Sequence, residues 1–190
     1  MTFRIEADSL HRLVYNSLLF DTKSAKAFKF AEGSCSMNTS DGQVYLEDEA
    51  PCNYPPFTPA TVFIMGGPEA KYLEEWLRKA EGEVEIKAGD LMVFTATRPE
   101  GNPDFNSINI RVSFGEYAQQ SDLVDPAAGH GPDDFNFAIN PDRLRKLALI
   151  QPRDYPVLCE LVVLDGIDPV VIQFSKGPSV RGTYATLSKV

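Results

Sequence analysis

For catalysis this chain offers little beyond two histidines, three cysteines and a scatter of carboxylates. His11 and His130 lie far apart in the sequence, which excludes a histidine-rich metal site. A Ser-His-Asp arrangement would have to use one of those two, and His130 sits in the flexible stretch Gly129-His130-Gly131. There is no Gly-x-x-x-x-Gly-Lys-Ser/Thr phosphate loop, no Gly-x-Gly-x-x-Gly and no Gly-x-Ser-x-Gly. Glu47-Asp48-Glu49 reads as a solvated turn rather than a cation site. Cys35, Cys52 and Cys159 are odd in number and form no Cys-x-x-Cys, which reads as free, mostly packed thiols. The expectation is a protein that is not an enzyme and holds no metal or cofactor; a hydrolase with a dispersed acidic site stays open.

The cations are better organised than the acids. In residues 142–150 Leu144, Leu147 and Ala148 fall on one side of a helix, while Arg143, Arg145 and Lys146 fill most of the remainder and Arg153 follows. Net charge is -9 for the whole chain, yet residues 141–153 sum to +3. Residues 8–26, with Arg12, Lys23 and Lys26, sum to +1, and residues 68–81, with Lys71, Arg78 and Lys79, sum to -1. The three regions together hold +3 and everything else -12. A basic surface set against an acidic body suits sequence-blind, salt-sensitive contact with phosphates. The plainer reading is that these are the solvated faces of ordinary helices. It weighs more on the first group than on the third, and the second helix has more acids than bases.

The elements that must position these cations repeat. Residues 135–139 alternate like a strand, Asn140-Pro141 pairs an N-cap with a proline at the first helical position, and residues 142–150 are the helix. Three β-rich runs follow at 157–164, 169–175 and 180–187, separated by Asp165-Gly166 and Lys176-Gly177-Pro178. The same β-α-β-β-β order appears earlier. A strand at 3–5 leads, through Asp8 or Ser9 as cap, into a helix whose stripe is Leu10, Leu13, Val14, Ser17 and Leu18, and strands follow near 28–30, 34–38 and 43–47. After a proline-rich loop at 48–59, residues 61–65 form a strand, Pro68 opens a helix with Ala70, Leu73, Trp76, Leu77 and Ala80 inward, and three strands end near residue 114. Residues 115–134 contain five acids and no Lys or Arg and read as a connector. The division expected is 1–114 as one domain of two units sharing a continuous sheet core, 115–134 as connector, and 135–190 as a third unit, a half-domain.

With 190 residues, 43% of them apolar, the chain can bury a real core. No apolar run approaches a membrane span and the N-terminus lacks signal-peptide features, so the expectation is a cytoplasmic protein, of a bacterial or phage-infected cell, that is not secreted.

Two β-α-β-β-β units per domain, a long acidic connector and basic helices together resemble the DNA sliding clamps, the polymerase processivity factors. The likeness is to the phage type, carried mainly by the third unit: Phe135-Asn136-Phe137-Ala138-Ile139-Asn140, the helix, the strands and the closing Tyr184-Ala185-Thr186-Leu187. The resemblance implies an α+β clamp fold with helices on one face of antiparallel sheets. It also implies sequence-independent binding of duplex DNA by Arg12, Lys23, Lys26, Lys71, Arg78, Lys79, Arg143, Arg145, Lys146 and Arg153, and tethering of a DNA polymerase, with a clamp loader as a further partner. Client peptides would dock at Leu123 and Val124 of the connector with Tyr184, Leu187 and Val190. Clamp rings contain twelve units and this chain has three, so four copies would close a ring, and a tetramer is favoured. The alternative is a clamp-fold or other α+β module, an inhibitor or regulator, that binds protein and not DNA.

Overall fold

The structure, a computed structural model, describes residues 1–41, 43–89, 91–96, 107–116, 137–138, 140–162, 171–185 and 187–188. In chain order the elements are β1 (Thr2–Glu6), α1 (Ala7–Leu18), β2 (Lys26–Ala31), β3 (Ser34–Ser40), β4 (Val44–Pro51), β5 (Thr61–Met65), α2 (Gly67–Leu77), β6 (Glu83–Lys87), β7 (Leu91–Ala96), β8 (Ser107–Arg111) and β9 (Ser113–Phe114). Then come β10 (Phe137–Ala138), α3 (Pro141–Leu149), β11 (Val157–Val162), β12 (Val171–Lys176), β13 (Val180–Ala185) and β14 (Leu187–Ser188). The order β-α-β-β-β therefore occurs three times. No helix among the described residues is long and apolar enough to cross a membrane.

Local chemistry explains most boundaries. The stripe Leu10, Leu13, Val14 and Ser17 of α1 is buried. Its cap is not Asp8 or Ser9: Glu6 occupies that place without a side-chain bond, and Asp8 lies in the first turn, where its charge favours the helix dipole. Pro68 stands in the first turn of α2 as expected. The Asn140 side chain caps α3, accepting from the Asp142 amide at 2.9 Å. β4 runs on through Pro51, so Glu47, Asp48 and Glu49 belong to a strand rather than a solvated turn, with Asp48 fully buried.

Units 1 and 2 do not share one continuous sheet, as the sequence suggested; they exchange their first strands. β1 pairs antiparallel with β6 and opens the four-stranded sheet β1-β6-β7-β8. β5 pairs antiparallel with β2 and joins the sheet that holds the strands of unit 1. A second device recurs in all three units. Past its last long strand the chain pairs back with the unit's own first strand: Asn53 bridges Arg4 of β1, β9 pairs with β5, and β14 pairs with β10.

The long sheet has eight strands in the order β11-β12-β13-β4-β3-β2-β5-β9, so units 1 and 3 are joined edge to edge through β13 and β4. At this seam Gly182 faces Leu46, and a Cβ there would collide with the Phe174 ring and the Tyr45 carbonyl. α1 packs on α2, β1, β3 and β4, and α2 packs also on β8. Between the two sheets Phe3 of β1, Phe30 of β2 and Phe63 of β5 stack in sequence at centroid distances of 4.4 and 5.7 Å. Aromatic pairs of this kind add to the area they bury, and here they tie the exchanged strands together.

Candidate nucleic-acid interface

Each predicted cation finds a different place. Lys26 does not reach the surface: it is fully buried at the start of β2, with Nζ donating to Ser24 Oγ at 2.9 Å and Thr39 Oγ1 at 3.1 Å. Burial lowers its pKa, against the pull of Asp21 and Asp41. The hydrophobic alternation of β2 puts residue 26 on the inward side with Phe28 and Phe30, and this overturns its assignment to a DNA-facing surface. Arg12 is turned inward as well, donating to Asp48 Oδ1 at 3.1 Å and the Glu49 carbonyl at 2.6 Å. Its guanidinium is committed to the protein, so Arg12 also leaves the set of free phosphate contacts.

Arg12 belongs to a junction that the sequence reading missed. Asp48 accepts from Asn16 Nδ2 at 2.8 Å as well as from Arg12. The same Asn16 amide donates to the Gln151 carbonyl at 2.9 Å and accepts from the Gln151 amide at 2.9 Å. One asparagine thus links α1, β4 and the segment that follows α3. Burial raises the Asp48 pKa, while Arg12 and Asn16 pull it down. A signal was present: an asparagine in mid-helix, a poor helix former three residues after Leu13, on the edge of the apolar stripe.

The α3 cations divide between this junction and solvent. Arg143 forms an ion pair with Asp41, and Lys146 donates to the Phe20 carbonyl at 3.3 Å, so both fasten α3 to unit 1. For Arg143 and Lys146 these bonds give a structural role in place of a free basic face. Arg145 and Arg153 remain exposed. Lys176, not singled out from sequence, reaches from β12 to the Ala148 and Ile150 carbonyls and closes the C-terminal end of α3, where the helix dipole favours a cation.

The second helix reverses its expected character. Glu74 is buried between His11 Nε2 at 3.1 Å and Arg78 Nε at 2.7 Å, and so is removed from the surface sum. α2 presents Lys71, Tyr72 and Glu75 to solvent, and Arg78, its C-cap, and Lys79 are exposed just past its end. With Glu74 matched by Arg78, Lys71 and Lys79 stand against Glu75 on this side. Lys23 is exposed in the turn between α1 and β2. Of the predicted cations, Lys23, Lys71, Lys79, Arg145 and Arg153 are exposed, and Arg78 is exposed too but with its Nε held by Glu74.

The client-docking residues fare less well. Leu123, Val124, Val190 and the side chain of Leu187 lie outside the described residues, as does His130. Tyr184 is buried, its hydroxyl accepting from the Asn140 amide at 3.2 Å, so it supports the start of α3 instead of lining a surface pocket. An open groove of about 310 Å³ does exist in unit 3, lined by Leu144, Leu147, Tyr155, Val157 and Cys159 among others. Cys35 is buried and Cys52 half-buried, with burial pushing the latter up to about 11, whereas Cys159 is exposed. Among the described residues no group of three or more His, Cys, Asp or Glu is placed to hold a metal ion.

No protein-family model matches the chain, and no curated protein matches it either. Solved structures do. The beta subunit from DNA polymerase of Streptococcus pyogenes superimposes with a TM-score of 0.65 at 10% identity, covering 100% of this chain and 65% of that one. The DNA polymerase sliding clamp from Bacillus subtilis gives 0.64 at 14% identity, with coverage of 100% and 65%. The Helicobacter pylori beta clamp bound to a DNA ligase peptide gives 0.65 at 9% identity, with coverage of 100% and 67%. The chain thus spans about two thirds of the length of these neighbours. They are bacterial beta clamps, so the likeness holds at the level of the clamp fold and lends nothing to the phage type. The fold of this chain is that of the DNA sliding clamps.

Proposed function

We propose that the protein is a sliding clamp, a ring assembled from copies of this chain that encircles duplex DNA and tethers a DNA polymerase. The observation that supports this best is the full-length match to the clamp fold, with its exchanged first strands and its sheet continuous from unit 3 into unit 1. Such a function lies in topology and needs no catalytic residue. The exposed cations Lys23, Lys71, Arg78, Lys79, Arg145 and Arg153 are the phosphate contacts of this reading, few enough to let the ring slide. Among the described residues β8 is the terminal strand of its sheet and an edge for ring closure; it is the unit 2 counterpart of β4, which in unit 1 is covered by β13. Client docking at Leu123, Val124, Leu187 and Val190 stays part of the proposal, without Tyr184.

The rival reading, a clamp-fold module that binds protein and not DNA, draws on the commitment of Arg12, Lys26, Arg143 and Lys146 to internal contacts. Retention on nicked circular DNA separates the two. A ring co-elutes with the circle during gel filtration at raised salt and is lost when the circle is linearised. Joint reversal of Lys71, Arg78 and Lys79 to Glu flattens the salt dependence of binding, by about one unit of log-log slope per phosphate contact removed. Absence from the circle, or equal retention on circle and line, ends the clamp reading.

A further inference from the structure

The loop between β4 and β5 carries the most exposed large apolar side chain among the described residues, Phe57 at 97%. A single apolar residue on a surface is ordinary, but this one is costly in a second way. Its φ is +58°, in the left-handed region, and it follows Pro56 in a tight turn, a place where glycine or asparagine sits without strain. The ring gains almost no burial in return. Strain of this kind persists only where the surrounding structure imposes it.

Here the surroundings do impose it. At one foot of the loop Asn53 and Arg4 of β1 exchange backbone bonds of 2.7 and 3.2 Å, and the Cys52 amide donates to the Gly33 carbonyl at 3.1 Å. Tyr54 is buried against Phe3, with ring centroids 5.4 Å apart. Its hydroxyl ties the two feet together, donating to the Pro59 carbonyl at 3.0 Å and bonding Thr61 Oγ1 at 2.6 Å. Pro55, Pro56 and Pro59 stiffen what lies between. The result is a short rigid arm with Phe57 at its turn and exposed Pro51, Pro56, Pro59 and Ala60 beside it. An aromatic ring presented in this way loses little freedom on docking, which suits it to anchor in a partner's pocket.

Charge around the arm selects the partner. Residues 30–70 contain six acids and no Lys or Arg. Glu32, next to Gly33, and Glu49, ahead of Pro51, are exposed, while Arg4 is matched by Glu85 at 3.0 Å and Glu83 at 3.7 Å. A nucleic acid or an anionic membrane is repelled by such a surface. A protein pocket edged by lysine or arginine is attracted to it.

We propose that Phe57 anchors a docking site for a partner protein, its ring seated in an apolar pocket edged by lysine or arginine, and that this partner is the tethered polymerase. The contact is additional to client docking at Leu123, Val124, Leu187 and Val190. The choice of polymerase rests on the reading above, whereas the anchor rests on the exposure, backbone and charge of the arm.

The purified polymerase of the same cell is the probe, titrated against wild type, Phe57→Asn and the double variant Glu32→Lys, Glu49→Lys. Asparagine accepts the left-handed conformation and no burial is lost, so Phe57→Asn should melt no lower than wild type. Its affinity for the polymerase should fall at least about tenfold, as for a buried aromatic anchor. The double variant should bind more weakly as well, with a flatter salt dependence. Retention on nicked circular DNA should be the same for wild type and Phe57→Asn. Unchanged affinity in either variant overturns the inference, and so does a wild type that does not bind the polymerase. A Phe57→Asn protein that melts several degrees lower overturns it too, since the ring would then serve its own fold. A wild type that binds the polymerase through Phe57 but does not stay on the circle overturns only the clamp reading.

Discussion

Units 1 and 2 on one hand, and unit 3 on the other, follow one sequence pattern and reach different degrees of closure. α1 and α2 each bury six residues, whereas α3 buries one. The helices differ little in apolar periodicity; they differ in having a neighbour. The apolar side of a helix measures what it needs covered, and the fold shows where that cover is supplied. In units 1 and 2 the cover is the opposite unit. In unit 3 polar bonds substitute: Asn16 to the Gln151 backbone, Arg143 to Asp41, Lys146 to the Phe20 carbonyl and Lys176 to the end of α3.

If polar bonds hold unit 3 in place, the junction should be its weak point. Asp48→Ala is expected to have the largest effect of any single change, about 3 to 5 kcal/mol, because it leaves the half-buried Arg12 charge without its carboxylate and takes one acceptor from the Asn16 amide. Urea unfolding should then show unit 3 melting ahead of the rest, as two transitions in place of one. A single transition with a cost under about 1 kcal/mol would mean that the β13–β4 seam alone carries the connection.

Matched truncations on the two kinds of helix sharpen the contrast. Leu73→Ala in α2, at 1% exposure, should cost about 2 to 5 kcal/mol through lost burial and the cavity left behind. Leu144→Ala in α3, at 42% exposure, should cost within about 0.5 kcal/mol in the single chain. Thermal melts at concentrations low enough to favour single chains give both values. Equal losses would show that α3 is covered within its own chain after all.

These contrasts also explain what could be read from the sequence. Periodicity located all three helices, and Pro68 and Asn140 marked the starts of two of them, because those signals are local. Exchange of β1 and β5 was invisible, since no local pattern says which sheet a strand will join. The basic surface was misjudged for a related reason. Arg12, Lys26 and Arg143 counted as positive charge until their partners Asp48, Thr39 and Asp41, remote in sequence, were known. Glu74 erred in the other direction, an acid counted against α2 that His11 and Arg78 take out of solvent.

Caps give a smaller test. α2 starts at Gly66 with no side-chain cap and relies on packing, while α3 uses Asn140. Asn140→Ala should cost about 1 kcal/mol, and amide exchange should speed up in the first turn of α3 while α2 keeps its protection. Unchanged exchange in α3 would show that the Tyr184 hydroxyl on the Asn140 amide is enough to hold that end.

Lys26 offers the smallest effect and a distinctive pH signature. Burial lowers its folded-state pKa below the ordinary 10.5, so between the two values the unfolded chain holds the extra proton. Stability from this group therefore rises as pH climbs through that window, and at neutral pH the full cost of burying the charge is present. Lys26→Met removes the cost along with two hydroxyl contacts, and should stabilise the protein at neutral pH by on the order of 1 kcal/mol. The gap between variant and wild type should close as pH approaches 10.5, read from urea midpoints at stepped pH. A gap that widens with pH would mean that the ammonium is better solvated in the fold than in water. DNA binding should be the same in both proteins, because a side chain sealed between Ser24 and Thr39 has no path to a phosphate.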